Sequence, residues 1–393
     1  MRLRTVQRRL DRLAEERARQ QKITRRRRIA GLAVVVLLAI AAGGGYALYR
    51  AIFGVPDFEG AGSGSVIVQV ADGDTTSAIA RELADRGVVA DPRAFLRAAA
   101  GDERVRGLQP GYYQLRSTMS GAAAVDLMLD PSSRVGQLEI RGGVQLDDTR
   151  APDGTVTEGV LSQIAKATCV TVDGARRCTS VDELRTTMAT TDPAELGVPE
   201  WALEAVAKAD PNRRLEALFM PGRYDVRPGA PALEVLRGLL ATSAAQLEAA
   251  GLVSGAREIG SSPYQVLIIA SLVEKEAITE DMPEVARVIY NRLGSGQRLE
   301  LDSTVNYPLD LQALRTTAAD RARPGPYNTY QTTGLPPTPI AAAGREAIAA
   351  ALDPAAGDWL FFVRCETDGT SCFATTLAEH EANITTAVRN GAI

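Results

Sequence analysis

Ser261-Ser-Pro-Tyr-Gln-Val-Leu-Ile-Ile-Ala-Ser-Leu-Val-Glu-Lys-Glu276 decides how the C-terminal half is read. A serine followed by Pro263 is a helix start: the hydroxyl can cap, and proline at the first turn lacks only an unused N–H. From Val266 to Val273 every residue but Ser271 is apolar, so the helix has no polar face. A helix apolar all round is buried. Glu276 stays beside the stripe Val266, Ile269 and Val273, whereas Glu274 points about 200° away at ~100° per residue. The two carboxylates therefore cannot face one substrate as a glycosidase pair. A carboxyl on a buried helix loses hydration, which raises its pKa and suits it to general-acid work. The alternative is a solvated charge at a helix end.

Outward from this helix the pattern is mixed α+β. Downstream, a helix is expected over 282–293, stopped by Gly294. Arg298-Leu-Glu-Leu-Asp-Ser-Thr-Val-Asn-Tyr307 reads as strand-like, before a loop rich in Pro, Gly, Thr and Tyr at 324–339. Upstream, helices are expected over 199–209 and 232–247. A segment at 136–189 opens with a strand at 137–141 and contains a helix at 160–167. Before it, 66–135 forms a small α+β unit: strands at 66–70 and 112–115, helices at 76–86, from Asp91-Pro92 and at 121–129. Residues 50–65, with Gly-Ala-Gly-Ser-Gly-Ser at their end, read as a flexible linker.

Residues 1–28 carry 12 basic side chains against three acidic ones, so the net charge of −4 hides an acidic body. That body offers no electrostatic reason to bind nucleic acid. Residues 29–49 contain no charge, and about 20 apolar residues cross a bilayer. Arg25 to Arg28 precede this span and should hold the N-terminus inside, with the body outside. A cleaved secretory signal is the alternative, with Ala41-Ala-Gly-Gly44 as the small-residue site, although signal cores are shorter.

Four cysteines fall in two local pairs. Cys169 and Cys178 bracket Asp173-Gly174, a two-residue hairpin signal. Counting outward from that turn sets them opposite as a non-hydrogen-bonded pair, where Cα atoms come closest. Cys365 and Cys372 bracket Asp368-Gly369, so they are expected opposite as a hydrogen-bonded pair. Disulfides fit the oxidising side of a membrane. No CxxC is present and His380 is the single histidine, which leaves little for a metal site or a Ser-His-Asp triad. P-loop, HExxH and dinucleotide fingerprints are missing.

Ala270-Ser-Leu-Val-Glu-Lys-Glu276, Val285-Ala-Arg-Val-Ile-Tyr-Asn-Arg-Leu293, Arg298-Leu-x-x-Asp-x-Thr-Val305, Tyr327-Asn-Thr-Tyr330 and Gly334-Leu-Pro-Pro337 occur in that order. Together with Phe361-Phe-Val363 and Thr375-Thr-Leu-x-x-His380, they resemble the YceG-like endolytic murein transglycosylases. The resemblance is strong over 200–385 and looser around Pro110-Gly-Tyr-Tyr-Gln114. Residues 142–190 look inserted. Leu218-Phe-Met-Pro-Gly-Arg-Tyr224 matches only in part, so no site residue is carried over from it.

The resemblance implies a single-pass membrane protein: a cytoplasmic segment 1–28, a transmembrane helix 29–49, a linker 50–65, a LysM-like subdomain 66–135, a connecting segment 136–189 and a catalytic domain 190–393. It implies Glu276 as the catalytic acid/base and no cofactor or metal. The expected reaction is non-hydrolytic cleavage between N-acetylmuramic acid and N-acetylglucosamine in nascent strands, leaving 1,6-anhydro ends and limiting elongation. Asp302, Thr304, Tyr307, Tyr327, Asn328, Thr329 and Tyr330 are candidates for holding the glycan. Peptidoglycan strands and the membrane are the expected partners, with peptidoglycan synthases as further candidates. The rival readings are a two-carboxylate glycoside hydrolase using Asp302 or Glu300, and a non-catalytic wall-binding scaffold.

Overall fold

The computed structural model describes residues 31–45, 54–312 and 316–393 of the chain. It divides into two units, Met1–Asp57 and Phe58–Ile393. In the first, residues 31–45 are helical and exposed throughout. The basic segment 1–28 and both ends of the 29–49 span lie outside the described residues. Among the described residues no helix is long and apolar enough to cross a membrane.

The second unit opens with a three-stranded antiparallel sheet. Strand β1 (Ser63–Val70) pairs with β2 (Gly111–Ser117), Val68 opposite Tyr113, and β2 pairs with β3 (Arg134–Val135). Helices α1 (Thr76–Asp85), α2 (Pro92–Ala99) and α3 (Gly121–Leu129) accompany it. Their starts are set locally: Thr75 caps α1, Asp91 accepts the Arg93 N–H ahead of Pro92, and Ser120 caps α3. Val68, Leu83, Phe95, Tyr113 and Leu115 fill a core of their own. Gly121 lets α3 approach α2, since a Cβ there would sit 2.4 Å from the Ala94 carbonyl oxygen.

Strand β4 (Gln137–Ile140) then pairs antiparallel with a distant partner, Gly222–Asp225, placing Leu138 opposite Tyr224. Between them lie the short β5 (Thr149–Arg150) and β6 (Val156–Thr157), α4 (Val160–Ala167), the hairpin β7 (Val170–Val172) and β8 (Ala175–Arg177), and α5 (Val181–Thr190). The segment that looked inserted is woven into the main core: Leu146, Leu161, Ile164, Leu184 and Met188 share one apolar cluster with Val266 to Val273. The expected helix over 199–209 is a 3₁₀ turn, Glu200–Ala202, followed by α6 (Leu203–Lys208).

After Gly222–Asp225, which is β9, come α7 (Ala232–Ala249), α8 (Leu252–Glu258) and α9 (Pro263–Glu276). Ser262 and Gln265 form a capping box at the start of α9, and every residue from Val266 to Val273 is buried. Helix α10 (Met282–Gly294) and, further on, α13 (Arg345–Leu352) pack against it. Between these two lie α11 (Asp302–Asn306) and α12 (Ala318–Ala322).

The strand expected over 298–307 is thus corrected. Leu299 and Leu301 are both buried as alternation requires, but the helix begins at Asp302, and Thr304, Val305 and Asn306 are then buried in succession.

The chain ends with hairpin β10 (Phe361–Arg364) and β11 (Ser371–Ala374) and helix α14 (Leu377–Asn390). Both cystine bridges are formed. Val170 pairs with Arg177, so Cys169 and Cys178 stand opposite, with Cα atoms 4.1 Å apart. The other register differs from expectation. Cys372 pairs with Val363, while the Cys365 N–H donates to the Thr370 carbonyl. The loop is four residues long, 366–369, and Asp368-Gly369 is its second half rather than its centre. The Cys365–Cys372 bridge therefore runs diagonally, Cα to Cα 5.5 Å.

Candidate active site

Helix α9 delivers three charged residues from its last turn, each into different surroundings. Glu274 lies against the backbone: its Oε2 accepts the Gly344 N–H at 2.9 Å. Lys275 donates to the Gly143 carbonyl at 3.2 Å. Burial depresses its ammonium, and the charges of Glu276, Glu216 and Glu274 oppose that depression. Glu276, the last residue of the helix, is half-buried, and its Oε1 is shut off from solvent without a protein hydrogen-bond partner. Burial pushes this carboxyl above its ordinary value. The hydroxyl and amide of Ser303 oppose that rise, Asp302 adds to it by its charge, and Lys275 lowers it slightly.

Helix α11 crosses this end of α9. Asp302 Oδ1 accepts the hydroxyls of Thr316 at 2.5 Å and Tyr330 at 2.8 Å, and Oδ2 accepts the Thr316 N–H at 3.2 Å. Arg321 lies 4.0 Å from the same carboxylate and 5.3 Å from the Tyr330 ring centroid. Glu300 sits in the left-handed region (φ +55°), with its N–H donating to the Thr329 carbonyl and its Oε2 accepting from Arg292 at 3.0 Å. Both acids named as a second carboxylate are thus bound by protein groups.

The glycan candidates divide. Asp302, Tyr327 and Tyr330 are half-buried; Asp302 and Tyr330 lie near Glu276, while Tyr327 meets the Thr338 hydroxyl at 2.8 Å. The other four are turned inward. Thr304 donates to the Leu301 carbonyl and meets the Thr329 hydroxyl at 2.8 Å. Thr329 accepts the Leu301 N–H. Asn328 donates to the carbonyls of Arg321 and Arg323 and accepts the Tyr330 N–H. Tyr307 is wholly buried with its ring 4.8 Å from that of Tyr327. These four are buried and spend their polar groups within the protein, while Thr304 and Asn328 also line a small cavity beside α11.

Two groups escaped the sequence reading. Ser303 was an unremarked position inside a motif. Glu216 lay in an apolar run, Leu215-Glu-Ala-Leu-Phe-Met220, and a lone acid there was the available signal. It is 2% exposed and is bound by the Leu146 N–H and the Tyr307 hydroxyl. Burial pushes its carboxyl up to about 8, against those hydrogen bonds and the nearby Arg213.

Among the described residues no group of three His, Cys, Asp or Glu side chains is arranged to hold a metal ion. A cavity of about 240 Å³ lies beside α11, lined by Val305, Pro308, Pro326 and Tyr327 among others. A larger open groove of about 640 Å³, lined by Glu139, Arg141, Glu158 and Lys166, shares no residue with the site. Glu276, with a carboxyl raised by burial and a buried oxygen without a protein partner, is the candidate reactive group.

The model of the YceG-like family matches residues 68–386, which contain the whole arrangement just described. The chain belongs to the YceG-like family. It is 27% identical over 319 residues to the endolytic murein transglycosylase of Bacillus subtilis, covering 80% of this chain and 83% of that protein. It is 29% identical over 177 residues to the endolytic murein transglycosylase of Streptococcus pneumoniae, covering 44% of this chain and 32% of that one. A crystal structure of a YceG-like protein from Listeria monocytogenes superposes with a TM-score of 0.53 at 25% identity, covering 81% of this chain and 98% of the other. The YceG-like match spans both Glu276 and the buried Glu216.

Proposed function

We propose that the protein is an endolytic lytic transglycosylase of peptidoglycan, with Glu276 as its single acid/base. Glu276 protonates the glycosidic oxygen between N-acetylmuramic acid and N-acetylglucosamine, and the bond from that oxygen to C1 breaks. The resulting carboxylate takes the proton of the muramic acid 6-hydroxyl as O6 bonds to C1. The products are a 1,6-anhydro end and a free 4-hydroxyl, and no water is consumed. One carboxyl serves both steps because the acid becomes the base after the first transfer.

The observation that carries this reading is that Glu276 presents a buried oxygen without a protein partner, while Asp302 and Glu300 are held by Thr316, Tyr330 and Arg292. A two-carboxylate hydrolase needs a second free acid. Asp302, Tyr327 and Tyr330 are the groups we assign to the glycan. The small unit at 66–135 we read as LysM-like, which its β1-α1-α2-β2 order supports, between a linker at 50–65 and a connecting segment at 136–189 leading to a catalytic domain at 190–393.

We also assign residues 29–49 as a membrane span with 1–28 cytoplasmic, which puts the body on the side where peptidoglycan is assembled. Synthases that extend the nascent strands are the partners this placement suggests, and cutting there would limit strand length. Digestion of purified peptidoglycan with the full chain tests the chemistry: mass spectrometry should find new anhydro ends. New reducing ends would indicate hydrolysis, and binding without new ends would indicate a scaffold.

A further inference from the structure

The polar side chains at the start of α11 have settled partners with one exception. Asp302 is taken by Thr316 and Tyr330, and Thr304 by the Leu301 carbonyl and Thr329. Ser303 stands between them, and its hydroxyl oxygen is buried without a hydrogen-bond partner. Glu276 Oε1 is an orphan of the same kind. The two residues meet where α9 and α11 pack, and Ser303 presents both its hydroxyl and its amide towards the Glu276 carboxyl. A buried polar atom left unpaired is costly, so two adjacent ones mark a place where a hydrogen bond is made and remade.

A serine hydroxyl is suited to that duty. It carries one rotatable donor and two lone pairs. Its proton can bond the acceptor oxygen of the protonated acid, leaving the acid proton for the glycosidic oxygen, and it bonds the carboxylate more strongly. The amide N–H of Ser303 donates likewise and also favours the charged form. The other charged or titratable groups facing Glu276 are Asp302 and Tyr330 from the loop side and Lys275 from its own helix. Asp302 and Tyr330 are bonded to each other. Lys275 is drawn off to the Gly143 carbonyl. None of the three is free to follow the proton.

We propose that Ser303 is a positioning residue of the reaction, whose hydroxyl donates a hydrogen bond to the Glu276 carboxyl oxygen that does not carry the transferred proton, more strongly to the carboxylate than to the acid, keeping the other oxygen aimed at the reacting oxygen through both transfers. This rests on Glu276 being the acid/base.

The test compares Ser303→Ala and Ser303→Thr with the parent full chain, following release of anhydro ends across pH. The protonated form of Glu276 starts the reaction, so the rate falls as pH rises through its titration. Removing a group that favours the charged form moves that alkaline limb to higher pH. Ser303→Ala should lower kcat at the parent optimum by roughly 10–100-fold, the usual worth of a hydrogen bond to a charged group. KM should stay within about twofold, because the hydroxyl acts on the acid and not on the glycan. Ser303→Thr keeps the hydroxyl and should recover most of the rate with the limb in its parent position. A limb that stays put in Ser303→Ala overturns the proposal, whether or not the rate falls, since loss of rate alone is what a disturbed helix would give. Glu276→Gln, assayed alongside, separates the two levels: if it is active, the acid/base reading itself is wrong. If it is dead while the alanine limb is unmoved, only the role of Ser303 is refuted.

Discussion

The hydroxyl of Tyr307 donates to Glu216 Oε2 at 3.1 Å in the interior, tying the end of α11 to the chain just before β9. The same carboxyl receives the Leu146 N–H at 3.1 and 3.2 Å. One buried acid therefore joins three segments, and its charge reaches Lys275, the neighbour of Glu276 in the chain.

Glu216 should make stability fall as pH rises. Burial holds its folded pKa near 8, above the ordinary 4.5, against opposition from Leu146, Tyr307 and Arg213, while Asp147 adds to the rise. The folded protein thus binds a proton that the unfolded chain releases. The stabilisation is fully present below about 4.5 and is lost as the pH rises towards about 8. Glu216→Gln mimics the protonated form and should flatten this dependence. Denaturant midpoints at pH 5 and pH 8 check it: the parent should lose more between them than the variant. Equal losses would mean that Glu216 stays charged in the fold.

Glu276→Gln should keep the fold and lose turnover by roughly 10²–10⁴-fold, the usual worth of general acid–base catalysis. Glu274→Gln is the control. Its carboxylate accepts one backbone N–H, from Gly344, and a glutamine oxygen can still accept it. The control should retain most activity. Near-parental rates in Glu276→Gln at an unchanged melting temperature would remove the acid from the mechanism.

Gly142 marks how tightly Glu274 is enclosed. A Cβ at this position would lie 2.1 Å from Glu274 Oε1, so alanine must displace the carboxylate or the backbone. Overpacking of this kind costs about 1–3 kcal/mol. Gly142→Ala should lower the melting temperature and reduce activity through the shifted end of α9, whereas Gly142→Ala combined with Glu274→Ala should regain stability. Calorimetry on the single and double variants decides it, and additive losses would count against the clash.

What could be read in advance, and what could not, follows from the kind of signal each residue carried. Helix α9 was legible because seven of the eight positions from Val266 to Val273 are apolar and need burial on every side, and Ser262-Pro263 fixed its start. Cys169 and Cys178 were legible because a two-residue Asp-Gly turn leaves one register. The same argument failed at Cys365, where Glu366 and Thr367 enter the loop and shift the pairing. Helix α11 was missed because Leu299 and Leu301 do alternate, and nothing in Asp302 to Asn306 announces a five-residue helix. The polar loop residues suggested a glycan surface, yet Thr304, Asn328 and Thr329 satisfy one another and backbone groups instead. Polarity shows that a side chain needs partners and not where they lie. Glu216 was hidden for the opposite reason: its neighbours in sequence are apolar, and its partners Leu146 and Tyr307 are 70 and 91 residues away.

The Cys169–Cys178 bridge should matter beyond its own hairpin. Thr171, in β7, offers its carbonyl to the Gln114 side chain of β2 at 2.7 Å, and the same Gln114 amide reaches the Ser65 hydroxyl. The bridged hairpin is therefore a clamp between the small sheet and the main core, which also meet through Arg134 and Asp225 at 3.3 Å. Closing a loop of this length contributes about 2–3 kcal/mol on the chain-entropy account. Replacing both cysteines by serine should lower stability by that order. It should also raise amide exchange in Gly111–Ser117 more than in α9, because the clamp is lost while the core around Val266 to Val273 is untouched. The Cys365–Cys372 double serine variant has no such contact with β2 and should leave exchange there unchanged. Hydrogen exchange read by mass spectrometry on the two variants separates a clamp from a generic staple: equal effects on Gly111–Ser117 would rule out the clamp.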